Sequence, residues 1–215
     1  MNDLVNHFGY LEKGNLDDIF TSLVFYIVGQ MLSINATHSI SKRLQQAVGK
    51  INPVTIFDLG IDGLQNCGIS RRKAEYIWKL SDDVTRGRYN FENLDDKSDE
   101  DVIAYLMQIK GVGRWTAEMI VEFTMGRLNI FSYDDVALKN GIKKAHGFKI
   151  LSKQRFERMR KMYSPYCTVA SLYYYALNDE GVGGRISTLF HFEDRCPLSR
   201  IFSRNYTGGI VLTWF

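Results

Sequence analysis

Apolar residues recur at intervals of three and four along almost the whole chain, and three prolines are all that interrupt its 215 residues. This periodicity predicts an all-α protein, because a 3.6-residue repeat puts such positions on one face of a helix. The stretch LDDIFTSLVFYIVGQMLSINATHSISKRLQQAVG predicts two helices, the first starting near Asp17 or Asp18 and the second running from about Asn35 to Val48, with Gly49 as its stop. NPVTIFDL predicts a short helix after Asn52 and Pro53, and SRRKAEYIWKLSDDVTRG a longer one ending near Gly87. In SDEDVIAYLMQIKG, Ser98 followed by Asp101 suits a helix start of the capping-box type, and Gly111 is expected to close that helix. A helix from Arg114 to Gly126 comes next, then DDVALKNGIKKAHG, SKQRFERMRKMY and PYCTVASLYYYALNDE.

One pattern occurs twice. LQNCGISRRKAEYI, from Leu64 to Ile77, aligns with MQIKGVGRWTAEMI, from Met107 to Ile120, so that Gly68 meets Gly111, Arg71 meets Arg114 and Glu75 meets Glu118. Each copy reads as helix, glycine turn, basic helix start, a grammar that any helix–turn–helix join shares. In the second copy, KGVGR, glycines at 111 and 113 permit positive φ and let an anion approach the main chain. The first amides of the following helix lack intrahelical acceptors and lie at its positive dipole end, which makes an anion site of the backbone. Glycines of a tight αα-hairpin also serve packing alone. Lys110 and Arg114 beside the turn, and an acid pair further on, are what favour the anion.

That pair is Asp134 and Asp135, in YDDVALKNG. The helix after the turn is about 20 Å long at 1.5 Å per residue, and residues 127 to 134 span up to ~26 Å if extended. The chain can therefore return both acids to the level of the turn. Aspartate is a favoured N-cap, and a cap needs one carboxylate, which leaves the other for chemistry.

Composition adjusts this picture only a little. With 45% hydrophobic and 24% charged residues, the chain can bury one sizeable core or two small lobes. Cys67, Cys167 and Cys196 are odd in number and far apart, which argues against a disulfide framework or a CxxC-type metal site and for a reducing, cytoplasmic setting. The longest apolar run, Ile19 to Ile34, is short for a membrane span and contains Gln30, so it reads as a buried helix. The net charge of +3 leans mildly towards polyanions and does not decide the partner. There is no zinc or nucleotide-cofactor motif.

LMQIKGVGRWTAEMIVEFTMGRLNIFSYDDVALKNG resembles the helix–hairpin–helix, Gly/Pro-loop and aspartate signature of the HhH-GPD base-excision DNA glycosylases, and within them the 3-methyladenine DNA glycosylase II branch. The likeness extends upstream through CGISRRKAEYI and IVGQMLSINA and downstream to SPYCTVASLYYY. It implies the helix–hairpin–helix glycosylase fold over residues 1–179, as two helical lobes flanking a cleft, with 180–215 a C-terminal extension of unassigned role. The implied partner is double-stranded DNA carrying damaged bases, met by a monomer that is nucleoid-associated in a bacterium. No cofactor is implied, though the likeness allows a monovalent cation at the hairpin.

By the same resemblance Asp135 is the catalytic aspartate, and Trp115 and Tyr175 line the base pocket. Lys110, Gly111, Val112, Gly113, Arg114 and Thr116 hold the DNA backbone, and Gln30 and Met31 form the wedge that fills the gap left by a flipped nucleotide. Read from the residues alone, Met31 is expected to pack in the core at the end of its helix. Lyase-type members carry a lysine nucleophile where this chain has Trp115, which has no amine for a Schiff base, so a monofunctional enzyme is implied. The iron–sulfur cluster of some relatives needs four cysteines, and this chain has three.

Two departures stand out. Cys167 occupies a position where relatives often have arginine, and the tail from Glu180 matches nothing in the resemblance, with GGIVLTWF hinting at an extended segment. Two other readings stay open: a glycosylase for oxidised or deaminated bases, and a helix–hairpin–helix protein that binds DNA without catalysis.

Overall fold

The computed structural model describes residues 1–9, 11 and 18–180, so Cys196 and, beyond Glu180, the expectation for the tail lie outside the described residues. Among the described residues there are ten α-helices and no strand. None of the helices described is long and apolar enough to cross a membrane. The chain divides into two compact units: one is Asp17–Ile120, and the other joins Met1–Leu16 to Val121–Phe215.

The first of these units holds α2 (Ile19–Gly29), α3 (Ile34–Val48), α4 (Pro53–Asn66), α5 (Arg71–Thr85), α6 (Asp99–Leu106) and α7 (Arg114–Met119). Helix α2 is its axis, with Leu23, Val24, Phe25, Ile27 and Val28 all buried, the pattern of a helix surrounded by protein. Each such side chain contributes about 1.5–3 kcal/mol on leaving water. The caps follow the sequence: Asp18 accepts from Thr21 N at 2.9 Å, Asn52 from Thr55 N at 3.0 Å, and Ser98 from Asp101 N at 3.2 Å. Helix α4 is longer than expected, because the chain continues past a kink at Gly60, where φ is 71°. Helix α6 is shorter: it ends at Leu106, and Gly111 belongs to the turn beyond it.

The repeated motif is a repeated structure. Gly68 and Gly111 have φ of 95° and 92°, and each is followed three residues later by the first residue of a helix, Arg71 or Arg114. What differs is the side chain laid across each turn. Arg43 lies across the first turn, donating from Nε to Cys67 O at 2.8 Å, with Nη2 2.6 Å from where a β-carbon on Gly68 would sit. At Gly113 nothing lies within 4 Å of that position. At Gly111, the counterpart of Gly68, the ring of Tyr76 takes the corresponding place, overlapping the point where a β-carbon would sit.

The other unit contains α1 (Asn2–Phe8), one π-helical turn (Ile120–Thr124) that begins at its boundary and continues α7, α8 (Val136–His146), α9 (Lys153–Tyr163) and α10 (Cys167–Asp179). The helix foreseen from Arg114 to Gly126 is thus α-helical only to Met119 and then widens. Helix α1 was not legible in the hydrophobic pattern; it joins the unit through Tyr173, whose hydroxyl donates to Gly9 O at 3.0 Å, and through His7, 2.6 Å from Glu180. Helix α10 is buried on all sides. Its Thr168 ties down the segment before Asp135, accepting from Ile130 N at 3.1 Å and donating to Arg127 O at 2.7 Å. Helices α8 and α10 meet at Gly141, where a β-carbon would overlap the Tyr174 carbonyl oxygen. The missing side chain lets the two backbones touch.

Candidate active site

The Asp17–Ile120 unit carries the hairpin and the loop expected to hold the wedge. Gly111 needs its left-handed φ, and a β-carbon there would also strike the ring of Tyr76, on which the turn rests. Tyr76 is flanked by two cations, Arg72 with Cζ 5.6 Å from the ring centroid and Lys110 with Nζ at 5.5 Å. Gly113 corrects the sequence expectation: its φ of −92° and ψ of 175° are open to any residue. Nothing lies within 4 Å of where its β-carbon would be, so the start of α7 is uncovered at this point.

The other hairpin residues divide. Lys110 is exposed, whereas Val112 and Thr116 are buried and offer their side chains to the core. The guanidinium of Arg114 is held by two carboxylates, Glu118 at 2.8 Å and Glu100 at 2.8 and 3.0 Å. What Arg114 brings to the turn in this state is its place in the first turn of α7.

Between α2 and α3 the chain turns tightly at Gln30 and Met31. Gln30 ends α2, and its Nε2 donates to Gly111 O at 2.9 Å, which fixes this turn to the hairpin. Lys73 Nζ donates to Val28 O at 2.9 Å and to Gln30 O, so the last carbonyls of α2 are satisfied by a side chain. Burial of that ammonium lowers its pKa from the ordinary lysine value. Met31 overturns the core-packing expectation: it is fully exposed at 101% and adopts φ of 57°. A large apolar side chain held into solvent by a strained backbone has no packing role here.

Trp115, in α7, is half-buried, and its ring meets that of Tyr26 edge to face, with centroids 6.1 Å apart and planes at 84°. Tyr26 was missed in the sequence because it sits in an otherwise apolar helix. Its one signal is spacing: it lies one turn before Gln30. Together the two rings give this unit a partly open aromatic surface beside the hairpin.

The other unit carries Asp135 and Tyr175. Asp135 is the N-cap of α8, with Oδ1 accepting from Leu138 N at 2.7 Å, and it is 6% exposed; Asp134 is exposed. The expected division of labour between the two acids fails, since the capping acid and the candidate catalytic acid are the same residue. Tyr175 is buried with its ring 6.0 Å from that of Phe123. Tyr174 is a core residue, 2.7 Å from the Tyr163 hydroxyl and 2.9 Å from His146 Nε2, and burial raises its phenol pKa. Cys167 is also core: its thiol donates to Arg160 O at 3.2 Å, and burial pushes it up to about 11, which leaves it inert.

The family described as HhH-GPD superfamily base excision DNA repair protein matches residues 24–165. The chain belongs to that superfamily. Among HhH-GPD relatives, the YfjP protein of Bacillus subtilis is 30% identical over 166 residues; the match covers 72% of this chain and 57% of that protein. DNA-3-methyladenine glycosylase 1 of Schizosaccharomyces pombe is 28% identical over 159 residues, covering 72% of this chain and 70% of its own. Among solved structures, a DNA-3-methyladenine glycosidase from Bacillus halodurans superposes with a TM-score of 0.74 at 34% identity, over 89% of this chain and 90% of that one. The HhH-GPD fold seen here is therefore that of a structure of nearly the same extent. Schizosaccharomyces pombe Mag1, a 3-methyladenine DNA glycosylase in complex with abasic DNA, gives a TM-score of 0.73 at 26% identity, over 81% of this chain and 89% of that one.

The exposure of Met31 yields a prediction with opposed signs. Met31→Gly relieves a left-handed backbone that costs about 1–2 kcal/mol for a residue with a side chain, although glycine returns part of this through the freer unfolded chain. The variant should melt at or above the wild-type temperature. Base release from duplex DNA should nonetheless fall if Met31 is a wedge; a drop in stability together with unchanged release would show a packing residue instead.

Proposed function

We propose that the protein is a DNA glycosylase of base excision repair that removes alkylated purines of the 3-methyladenine type from duplex DNA by hydrolysis. The observation that carries this reading is Asp135, a buried carboxylate that accepts from Leu138 N at a helix start, in a chain whose hairpin leaves the backbone uncovered at Gly113. Asp135 also caps α8, a role that neutral asparagine fills equally, so a protein that only binds DNA gains nothing from keeping a charge that repels phosphates. The names of the relatives point to the same substrate class.

The steps follow from what the substrate requires. The target base lies in the stack, so its nucleotide is flipped out, at a cost of a few kcal/mol that is lower for a damaged pair. Met31 enters the gap while Gln30, bonded to Gly111 O, keeps the wedge in register with the hairpin. The electron-poor, often cationic purine is bound by aromatic faces, with Trp115 and Tyr175 as the pocket residues and Tyr26 supporting Trp115. Such a base is already a good leaving group. Asp135 then stabilises the sugar cation formed as the N-glycosidic bond breaks, and orients or deprotonates the attacking water.

No step needs a cofactor. Two carbonyls of the turn, Ile109 O and Gly111 O, already accept from Val112 N at 3.0 Å and Gln30 Nε2 at 2.9 Å. A monovalent cation at the hairpin would add to the amide dipoles without entering the chemistry. With tryptophan at 115, no amine occupies the lyase position. The product is therefore an intact strand with an abasic site. Incubation with methylated duplex should free the base and leave the strand whole until alkali is added, and borohydride should trap no protein–DNA adduct. A trapped adduct or an alkali-independent nick would overturn the hydrolytic assignment.

A further inference from the structure

Charge is distributed unevenly along this chain. Nine of its 27 lysines and arginines fall between positions 139 and 161, with Glu157 the one acid among them, while the net charge of the whole is +3. The remainder of the sequence is therefore net negative. Glu157 is already paired with Arg160, at 2.8 Å. The segment comprises most of α8, the connection after it and most of α9, all within the unit that holds Asp135.

The bland explanation is a solvated face, and three observations argue against it. Solvated faces mix signs, whereas this segment sets nine cations against one acid, Glu157. Cations at the last turn of a helix are explained by the dipole, but Lys153 is the first residue of α9, which has neither an acidic cap nor an acid in its first turn, and Lys139 lies in the opening turns of α8, behind its Asp135 cap. A cation at the positive end of a helix is disfavoured by about 0.3–1 kcal/mol. Finally, the cations converge on aromatic rings. Lys139 Nζ lies 5.1 Å and Lys153 Nζ 5.7 Å from the centroid of Tyr133, and Arg155 Cζ lies 4.3 Å from that of Phe148. Cation–π contacts occur about once per 70–80 residues in general, so three within residues 133 to 155 are not incidental.

We propose that Lys139 and Lys153, brought together on Tyr133 from two helices, bind backbone phosphates of duplex DNA independently of the hairpin. The two ammonium groups repel each other at this spot, and a phosphate placed against them removes that repulsion while the ring keeps both side chains in position. Tyr133 precedes Asp135 by two residues, so the same loop that presents the carboxylate carries the clamp. The inference rests on DNA being the partner, as read above.

The test is the salt dependence of DNA binding, measured by fluorescence anisotropy on an undamaged duplex with wild type, Lys139→Gln/Lys153→Gln and Lys139→Arg/Lys153→Arg. The slope of log affinity against log salt changes by about 0.9 per phosphate contact. The glutamine pair should therefore lose about two from the slope, the arginine pair should keep it, and both should melt as wild type does. An unchanged slope in the glutamine pair, or a slope lost on duplex RNA but not on DNA, would overturn the proposal. Because binding is the readout, the two readings can fail separately. A chain that binds DNA through these lysines and excises nothing sinks the glycosylase assignment alone, whereas excision with an unchanged slope sinks this surface alone.

Discussion

Asp135→Asn is expected to lower single-turnover base release by at least about 10²- to 10³-fold, the scale on which a fixed electrostatic partner of the transition state acts. The same variant should fold and melt like wild type. Asparagine ranks with aspartate as an N-cap, so it can still accept from Leu138 N and hold the start of α8. DNA affinity should be unchanged or tighter, since the variant lacks a negative charge that would repel phosphates. Asp135→Ala separates the two roles: it should lose release to a similar degree and also about 0.5–2 kcal/mol of stability with the cap. If the asparagine variant retains release within tenfold of wild type, Asp135 is a cap and nothing more.

Gly141→Ala carries the largest expected effect on stability, and its sign runs against helix propensity. In an unpacked helix, alanine is favoured over glycine by about 1 kcal/mol. Here the added methyl would overlap the Tyr174 carbonyl oxygen and lie 2.6 Å from its carbon and 3.0 Å from the α-carbon. These are backbone atoms, which cannot rotate aside as the end of a side chain can. Overpacking of this kind costs typically 1–3 kcal/mol, occasionally more; the expected loss is about 3 kcal/mol, or a fall of about 6–12 °C in Tm for a chain of this size. Helix α8 is capped by Asp135 and α10 carries Tyr175, so forcing the helices apart should reduce base release as well. A variant as stable as wild type would mean that the close approach at Gly141 does not exist in solution.

Local chemistry was readable from the sequence, and tertiary chemistry was not. Asp18, Asn52, Ser98 and Ser152 cap helices as their types and positions imply, because a cap depends on neighbours three residues away. Gly111 was readable as a turn glycine for the same reason. Gly113, next but one, was misread, since φ is set by the turn and not by the presence of glycine. The π turn after Met119, the kink at Gly60 and the early end of α6 reflect packing that no local pattern records.

The site shows the same division. Asp135 was readable as an acid at a helix start, since a cap is local. Tyr26 and Tyr76 were not readable, because their roles come from a ring met across the fold and a glycine pressed against a ring. The ion pair of Arg114 with Glu100, fourteen residues earlier, was likewise not legible, because it joins two helices. Met31 was misjudged, since a methionine after an apolar helix is usually core, and only its backbone angle and full exposure reveal otherwise.

The claim at the centre of this account is that the pocket is made for an electron-poor alkylated purine. The most direct measurement is a comparison of single-turnover base release by the wild-type chain from three duplexes, carrying 3-methyladenine, an oxidised purine and a deaminated base. The account predicts fastest release of 3-methyladenine, with the strand intact until alkali is added. Faster release of the oxidised or the deaminated base, or none from any duplex, would contradict it.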